Sequence, residues 1–178
     1  MTAYKLITYE IKDNVAILML NRPDKLNALN MALLQEIHAA IDEAELDEAV
    51  GVVLLHGAGR AFCVGSDLNE IGSRKGAAQR RFVHLDFANK NRIASCRKPV
   101  VAAVHGYAFG GGMEMALACD IRIAADGTFF ALPEITLGTI PGAGGLQRLP
   151  QIVGRGIAKE WAMTGRRIDV QEGLRSAP

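Results

Sequence analysis

Two glutamates, Glu114 and Glu134, stand 20 positions apart, the second in surroundings where a solvated carboxylate is not expected. Glu114 follows Gly110-Gly111-Gly112 and falls in the first turn of a short helical stretch. As a lone acid beside a helix N-terminus it would contribute a few tenths of a kcal/mol up to about 1 kcal/mol. Glu134 follows Phe129-Phe130-Ala131-Leu132-Pro133, an apolar run. A carboxylate buried there must be paired, hydrogen-bonded or protonated. If the two acids meet, one pKa rises, which is the usual arrangement for general acid–base work near neutral pH. The triple glycine adds a second element. Three residues without side chains, leading into a helix N-terminus, leave free N–H groups and a positive dipole end, a setting for an anion or oxyanion. Ser66 and Asp67, after Gly65, offer another loop-to-helix junction. Two such junctions from different strands can converge on one carbonyl oxygen.

Other chemistries fit the residues less well. Gly110-Gly111-Gly112 lacks the G-x-G-x-x-G spacing, and Gly142-Ala143-Gly144-Gly145-Leu146-Gln147 fails at its last position. Neither ends in Gly-Lys-Ser/Thr, so a P-loop is excluded, and tight turns between packed elements are the plain alternative. A Ser66 nucleophile with His105 as base lacks the G-x-S-x-G elbow and a clear acid to orient the imidazole. His38, His56 and His84 form no H-E-x-x-H pattern, so no metal site is expected. Cys63, Cys96 and Cys119 lie 33 and 23 positions apart, neither a metal clip nor a disulfide framework, which favours a reducing, cytoplasmic setting. A net charge of +1 without long basic runs argues against nucleic acid or an anionic membrane as partner. Lys5, Glu10, Lys12 and Asp13 break any signal-peptide core, and no apolar stretch reaches the roughly 18–20 residues of a membrane span.

These groups need a scaffold, and 178 residues with 49% hydrophobic and 22% charged suffice for one core. One domain over 1–178 is expected. Runs at 4–11 and 15–20 read as strands joined by a turn at Lys12-Asp13-Asn14. Pro23, in Asn21-Arg22-Pro23-Asp24-Lys25, ends the second. A helix begins near Met31 behind an Asn30 cap, with Leu33, Ile37, Ile41 and Ala44 facing inward. Residues 52–55 suit a fully buried strand, followed by a loop over 57–65. The stretch 76–95 is polar but carries Phe82, Leu85 and Ile93 near one face, as a helix would. Then come a strand at 99–104, a glycine-rich turn at 106–112, a short helix at 113–118, and strands at 120–125 and 128–131. Beyond Glu134 a loop leads into helix through Leu174. Strands alternating with helices predict an α/β fold.

The ordered motifs resemble the enoyl-CoA hydratase/isomerase (crotonase) family. They are Asn21-Arg22-Pro23 with Asn27-Ala28-Leu29, the run from Ala61-Phe62-Cys63 to Asp67-Leu68, the run from His105-Gly106 to Met113-Glu114, and Pro133-Glu134 with Gly138-Thr139-Ile140-Pro141-Gly142-Ala143-Gly144-Gly145. The resemblance implies a spiral of ββα units and hydration of trans-2-enoyl-CoA to 3-hydroxyacyl-CoA. Coenzyme A enters as the substrate's thioester, and no cofactor is implied. The thioester oxygen would be held by the N–H groups of Ser66 and Gly111. Glu114 would activate water, Glu134 would protonate C2, and Gly142 would orient the water. Coenzyme A would lie along Lys25, Leu26 and Ala28 and along Val64, Gly65, Ser66, Asp67 and Leu68. Asn69 stands where many members have Lys, a departure that bears on a phosphate contact. Met113, Leu132 and Leu137 are candidates for the acyl pocket, with core packing the equal alternative. Alternatives are a Δ3,Δ2-enoyl-CoA isomerase and a non-catalytic acyl-CoA-binding or oligomerisation subunit. Members normally continue with further helices that cover the pocket and build a trimer or dimer of trimers. The resemblance therefore implies a truncated C-terminal region, an exposed apolar face, and a homo-oligomer once that region is supplied.

Overall fold

A two-residue turn opens the fold. Asp13 and Asn14 both take positive φ (49° and 67°), the geometry that lets a hairpin follow the twist of its strands. It joins β1 (Ile7–Lys12) to β2 (Val15–Leu20) in antiparallel register, with Lys12 opposite Val15. The computed structural model describes residues 4–73 and 75–177. β2 pairs in parallel with β3 (Val52–Gly57), β3 with β4 (Val100–Val104), and β4 with β6 (Ile121–Ala124). The five-stranded sheet thus runs β1-β2-β3-β4-β6.

The crossover from β2 to β3 is α1 (Met31–Leu46), which begins where expected: the Asn30 side chain accepts the Leu33 N–H at 2.8 Å. Leu33, Ile37, Ile41 and Ala44 are buried in one core with Val53 and Leu55 of β3 and Phe82 and Ile93 of α3 (Ala77–Ala94). β3 is not buried on both faces as its apolar run suggests. Val53 and Leu55 are buried while Val52 and Leu54 are half-buried, so tight packing falls on one face.

A second, smaller sheet contains β5 (Tyr107–Phe109), β7 (Phe129–Ala131) and β8 (Ile168–Asp169) in the order β5-β7-β8. β5 corrects the expectation of a plain turn over 106–112. Three residues are too few to show a period, and what makes them a strand is their parallel pairing with β7. β8 likewise corrects the single helix expected through Leu174. α5 (Gly145–Thr164) is kinked at Gly154 and ends at Gly165; β8 pairs antiparallel with β7, and α6 (Val170–Ser176) restarts behind an Asp169 cap.

The chain repeats one winding. β4 enters the large sheet, β5 the small one, and α4 (Gly111–Ala118) follows; β6, β7 and α5 do the same. The unit of β3 is less regular. After β3, Cys63 makes an isolated parallel bridge to Ala108 of β5, and the chain proceeds through α2 (Leu68–Ser73) to α3. All eight residues of α4 are buried, so the end of the triple glycine lies at the centre of the molecule. Among the described residues no helix is long and apolar enough to cross a membrane.

Candidate active site

Two chain segments meet backbone to backbone at the start of α4. The first, residues 57–68, is pinned by Asn27, which is fully buried. Its amide donates to the carbonyls of Ala58, Ala61 and Phe62 at 2.8–3.1 Å, and its Oδ1 accepts the Arg22 N–H. Cys63 N–H donates to Tyr107 O, and Phe109 N–H returns a bond to Cys63 O at 3.0 Å. A Cβ on Gly112 would lie 2.1 Å from that same Cys63 oxygen, so only glycine permits this approach.

Farther along, Leu29 bridges the segment by donating to Gly65 O and accepting from Asp67 N–H. In such a parallel bridge the intervening residue, Ser66, directs its own N–H to the opposite side. Across from it, Gly110 (φ 50°) turns the chain into α4. A Cβ on Gly65 would sit 3.1 Å from Gly111 N, which shows how closely the two segments approach. Among the described residues, neither Ser66 N–H nor Gly111 N–H donates to a protein acceptor. For Gly111 this is the ordinary condition of a first helical residue.

The two carboxyls lie beside this junction. Glu114 is 2% exposed, and its Oε1 accepts the N–H groups of Ala143 and Gly145, each at 2.8 Å. Burial raises its pKa on balance, and the Lys90 ammonium and the two backbone donors offset part of that rise. Glu134 belongs to a 3-10 turn over Pro133–Leu137, where its Oε2 is buried without a hydrogen-bond partner among the described residues. Burial, with the nearby charges of Glu114 and Asp86 adding to it, pushes this carboxyl up to about 7. One acid is therefore held by donors to its charged form. The other is left with little to stabilise its charge.

Both glutamates line a cavity of about 520 Å³, together with Val64, Gly65, Ser66, Leu68, Gly111 and Gly142. The remaining expected residues lie outside its walls. Lys25 ends a 3-10 turn and Leu26 caps it; Leu26 O accepts the Val64 N–H, so this segment abuts the 64–68 loop. Ala28 and Asp67 are both buried, the latter paired with Arg22 at 3.1 Å. Of the acyl-pocket candidates Leu137 lines the cavity, whereas Met113 and Leu132 are buried in a second core with Leu149 and Trp161. His105 bonds Gly59 O at 2.9 Å and is not among the residues lining the cavity with Ser66. Gln79, Asp86 and Thr139 line it too and were not anticipated. Behind Asp86 lies Lys90, also unanticipated and wholly buried. The sequence signal for that pair was only its i, i+4 spacing on a polar helix, which more often marks a solvated face.

Residues 10–176 match the family model described as enoyl-CoA hydratase/isomerase. The chain is similar to the mitochondrial enoyl-CoA hydratase of Pongo abelii (44% identity over 160 residues, 90% of this chain and 54% of that protein). It is also similar to the short-chain-enoyl-CoA hydratase of Clostridium acetobutylicum (42% over 170 residues, 95% and 65%). Among solved structures, the enoyl-CoA hydratase of Bacillus anthracis superposes with a TM-score of 0.94 at 40% identity, over 97% of this chain and 68% of that one. The chain thus spans between about half and two thirds of the length of these relatives.

Proposed function

The chain belongs to the enoyl-CoA hydratase/isomerase family and has its crotonase fold, and we propose that it adds water across the C2=C3 bond of a trans-2-enoyl-CoA to give 3-hydroxyacyl-CoA. One observation carries the reading: two carboxyls in unlike electrostatic settings line one cavity beside two backbone N–H groups that no protein acceptor uses among the described residues.

The chemistry follows from where charge builds. Attack of water on C3 moves negative charge to the thioester oxygen. The Ser66 and Gly111 N–H groups are the donors for it, each contributing on the order of 3–4 kcal/mol in a site of this kind. Glu114, held as carboxylate by the Ala143 and Gly145 N–H groups, takes the proton from water. Glu134, with its unpartnered Oε2 and a pKa of about 7, delivers a proton to C2. The proton left on Glu114 then passes to Glu134 and closes the cycle. A concerted addition, with both acids on one water and Gly142 N–H orienting it, uses the same groups. Hydration changes no oxidation state overall, so it calls for no redox partner. Val64, Gly65 and Leu68 are the wall along which the thioester and pantetheine would enter, with Lys25, Leu26 and Ala28 behind that loop and Asp67 tying it to Arg22.

The test is hydration of a short trans-2-enoyl-CoA in oxygen-18 water. The product is expected to carry the label, and Glu114→Gln or Glu134→Gln to reduce the rate by about 100-fold or more. An unlabelled positional isomer would instead identify an isomerase. Acyl-CoA binding by calorimetry without turnover would identify a non-catalytic subunit.

A further inference from the structure

α3 buries three polar side chains, Asp86, Asn89 and Lys90. Asn89 has a plain structural task, because its amide donates to Leu34 O at 2.9 Å and ties α3 to α1. The other two form an i, i+4 ion pair. On a solvated helix such a pair contributes little. Here the ammonium is 0% exposed, and one carboxylate rarely offsets the desolvation of a buried cation. An ammonium carries three N–H donors, yet Asp86 is the only hydrogen-bond partner of Lys90 among the described residues. Lys90 Nζ reaches the start of α4, 3.7 Å from where a Cβ on Gly111 would sit. Glu114 is one turn along that helix and is the second anion within the field of Lys90. Asp86, on its other side, lines the cavity shared by both glutamates.

We propose that the Asp86–Lys90 pair is a positioning element of the site: the Lys90 ammonium holds Glu114 as the carboxylate that accepts a proton, and the Asp86 carboxylate holds Glu134 as the acid that donates one. The inference rests on the roles assigned above to the two glutamates. Lys90 is wholly buried, and both members of the pair act through the glutamates. The charges packed around the two acids support it. α4 and the 133–137 turn contribute only the glutamates themselves, and the 64–68 loop contributes Asp67, which is paired with Arg22. From α5 comes Arg148, whose guanidinium is committed to Ala143 O at 3.1 Å and Asn91 Oδ1 at 2.7 Å. Lys90 is left as the one cation of α3 that faces Glu114. It is also the foremost influence lowering the Glu114 pKa against burial.

The experiment titrates the full chain labelled with carbon-13 at the glutamate carboxyls, followed by NMR without substrate and assigned with Glu114→Gln and Glu134→Gln. Lys90→Met is expected to raise the Glu114 midpoint by about one pH unit or more. Asp86→Asn is expected to lower both midpoints, because Lys90 then serves Glu114 alone and one anion leaves the surroundings of Glu134. A pair that merely braces α3 would not move the two variants in opposite directions. A folded Lys90→Met protein with an unmoved Glu114 midpoint overturns the proposal. Should Lys90→Met fail to fold, unmoved midpoints in Asp86→Asn overturn it instead. These midpoints are read without turnover, so they stand or fall separately from the hydration assay that tests the proposed function.

Discussion

Glu134 gives the stability of the protein an uncommon dependence on pH. Its buried Oε2 has no partner among the described residues, and its pKa rises from 4.5 to about 7 in the folded chain. The native state therefore keeps a proton that the unfolded chain releases between those values. The contribution of the neutral side chain is whole below pH of about 4.5 and is lost as pH climbs through 7. Felt in full, that displacement would be worth about 3 kcal/mol. The side chain borders an open cavity and solvent screens it, so about 1–2 kcal/mol is expected. Glu134→Gln keeps the shape and stays neutral. Urea unfolding should find it more stable than the parent by that amount at pH 8 and equal to it near pH 4.5; a gap independent of pH would contradict this account. Both glutamates were legible in the sequence because each carries a local oddity, a triple glycine before one and an aromatic run before the other. Asp86 and Lys90 were not. A charged pair on a polar helix looks solvated until α1 and α4 close over it, and that packing is tertiary.

At the scale of elements, the site depends on how closely α4 approaches the strand-like segment at Cys63. The backbone bonds of Cys63 to Tyr107 and Phe109 leave no room for a side chain on Gly112, where a Cβ would meet Cys63 O at 2.1 Å and its carbonyl carbon at 2.7 Å. Both are backbone atoms fixed by the bridge to β5, so little can yield. Gly112→Ala is expected to cost about 3 kcal/mol or more in chemical unfolding, at the upper end of overpacking. Gly142→Ala is the matched control. The nearest atom to its Cβ would be Ile140 O at 4.0 Å and its φ is not positive, so stability should change by less than about 0.5 kcal/mol. Equal losses from the two would mean that glycine content, not close approach, governs this region. The same contrast explains which elements could be read in advance. α1 announces itself by a cap residue and a helical period kept over sixteen residues. β5 and β8, of three and two residues, exist through their pairing with β7 and leave no periodic trace.

For the whole molecule, the informative feature is where apolar surface remains uncovered. β6 is the last strand of the five-stranded sheet, and its Ile121 and Ile123 are 53% and 63% exposed, while Arg122 and Ala124 between and beside them are half-buried. An edge strand that pairs on one side only and carries isoleucines on its open face is prone to further association. Leu146 and Met163 make a similar surface on α5, around a groove of about 460 Å³. The resemblance led to the expectation of such a face, but its location depends on the parallel pairing of β4 with β6, which spacing along the chain does not reveal. Replacing Ile121 and Ile123 together by lysine removes apolar area from a largely exposed face. Sedimentation velocity is expected to show the parent chain associating with rising concentration and the double variant doing so less. Their unfolding free energies should agree within about 1 kcal/mol, since substitutions away from core and caps seldom cost more. A parent chain that stays monomeric at every concentration would mean that the β6 face, though apolar, is not an association surface.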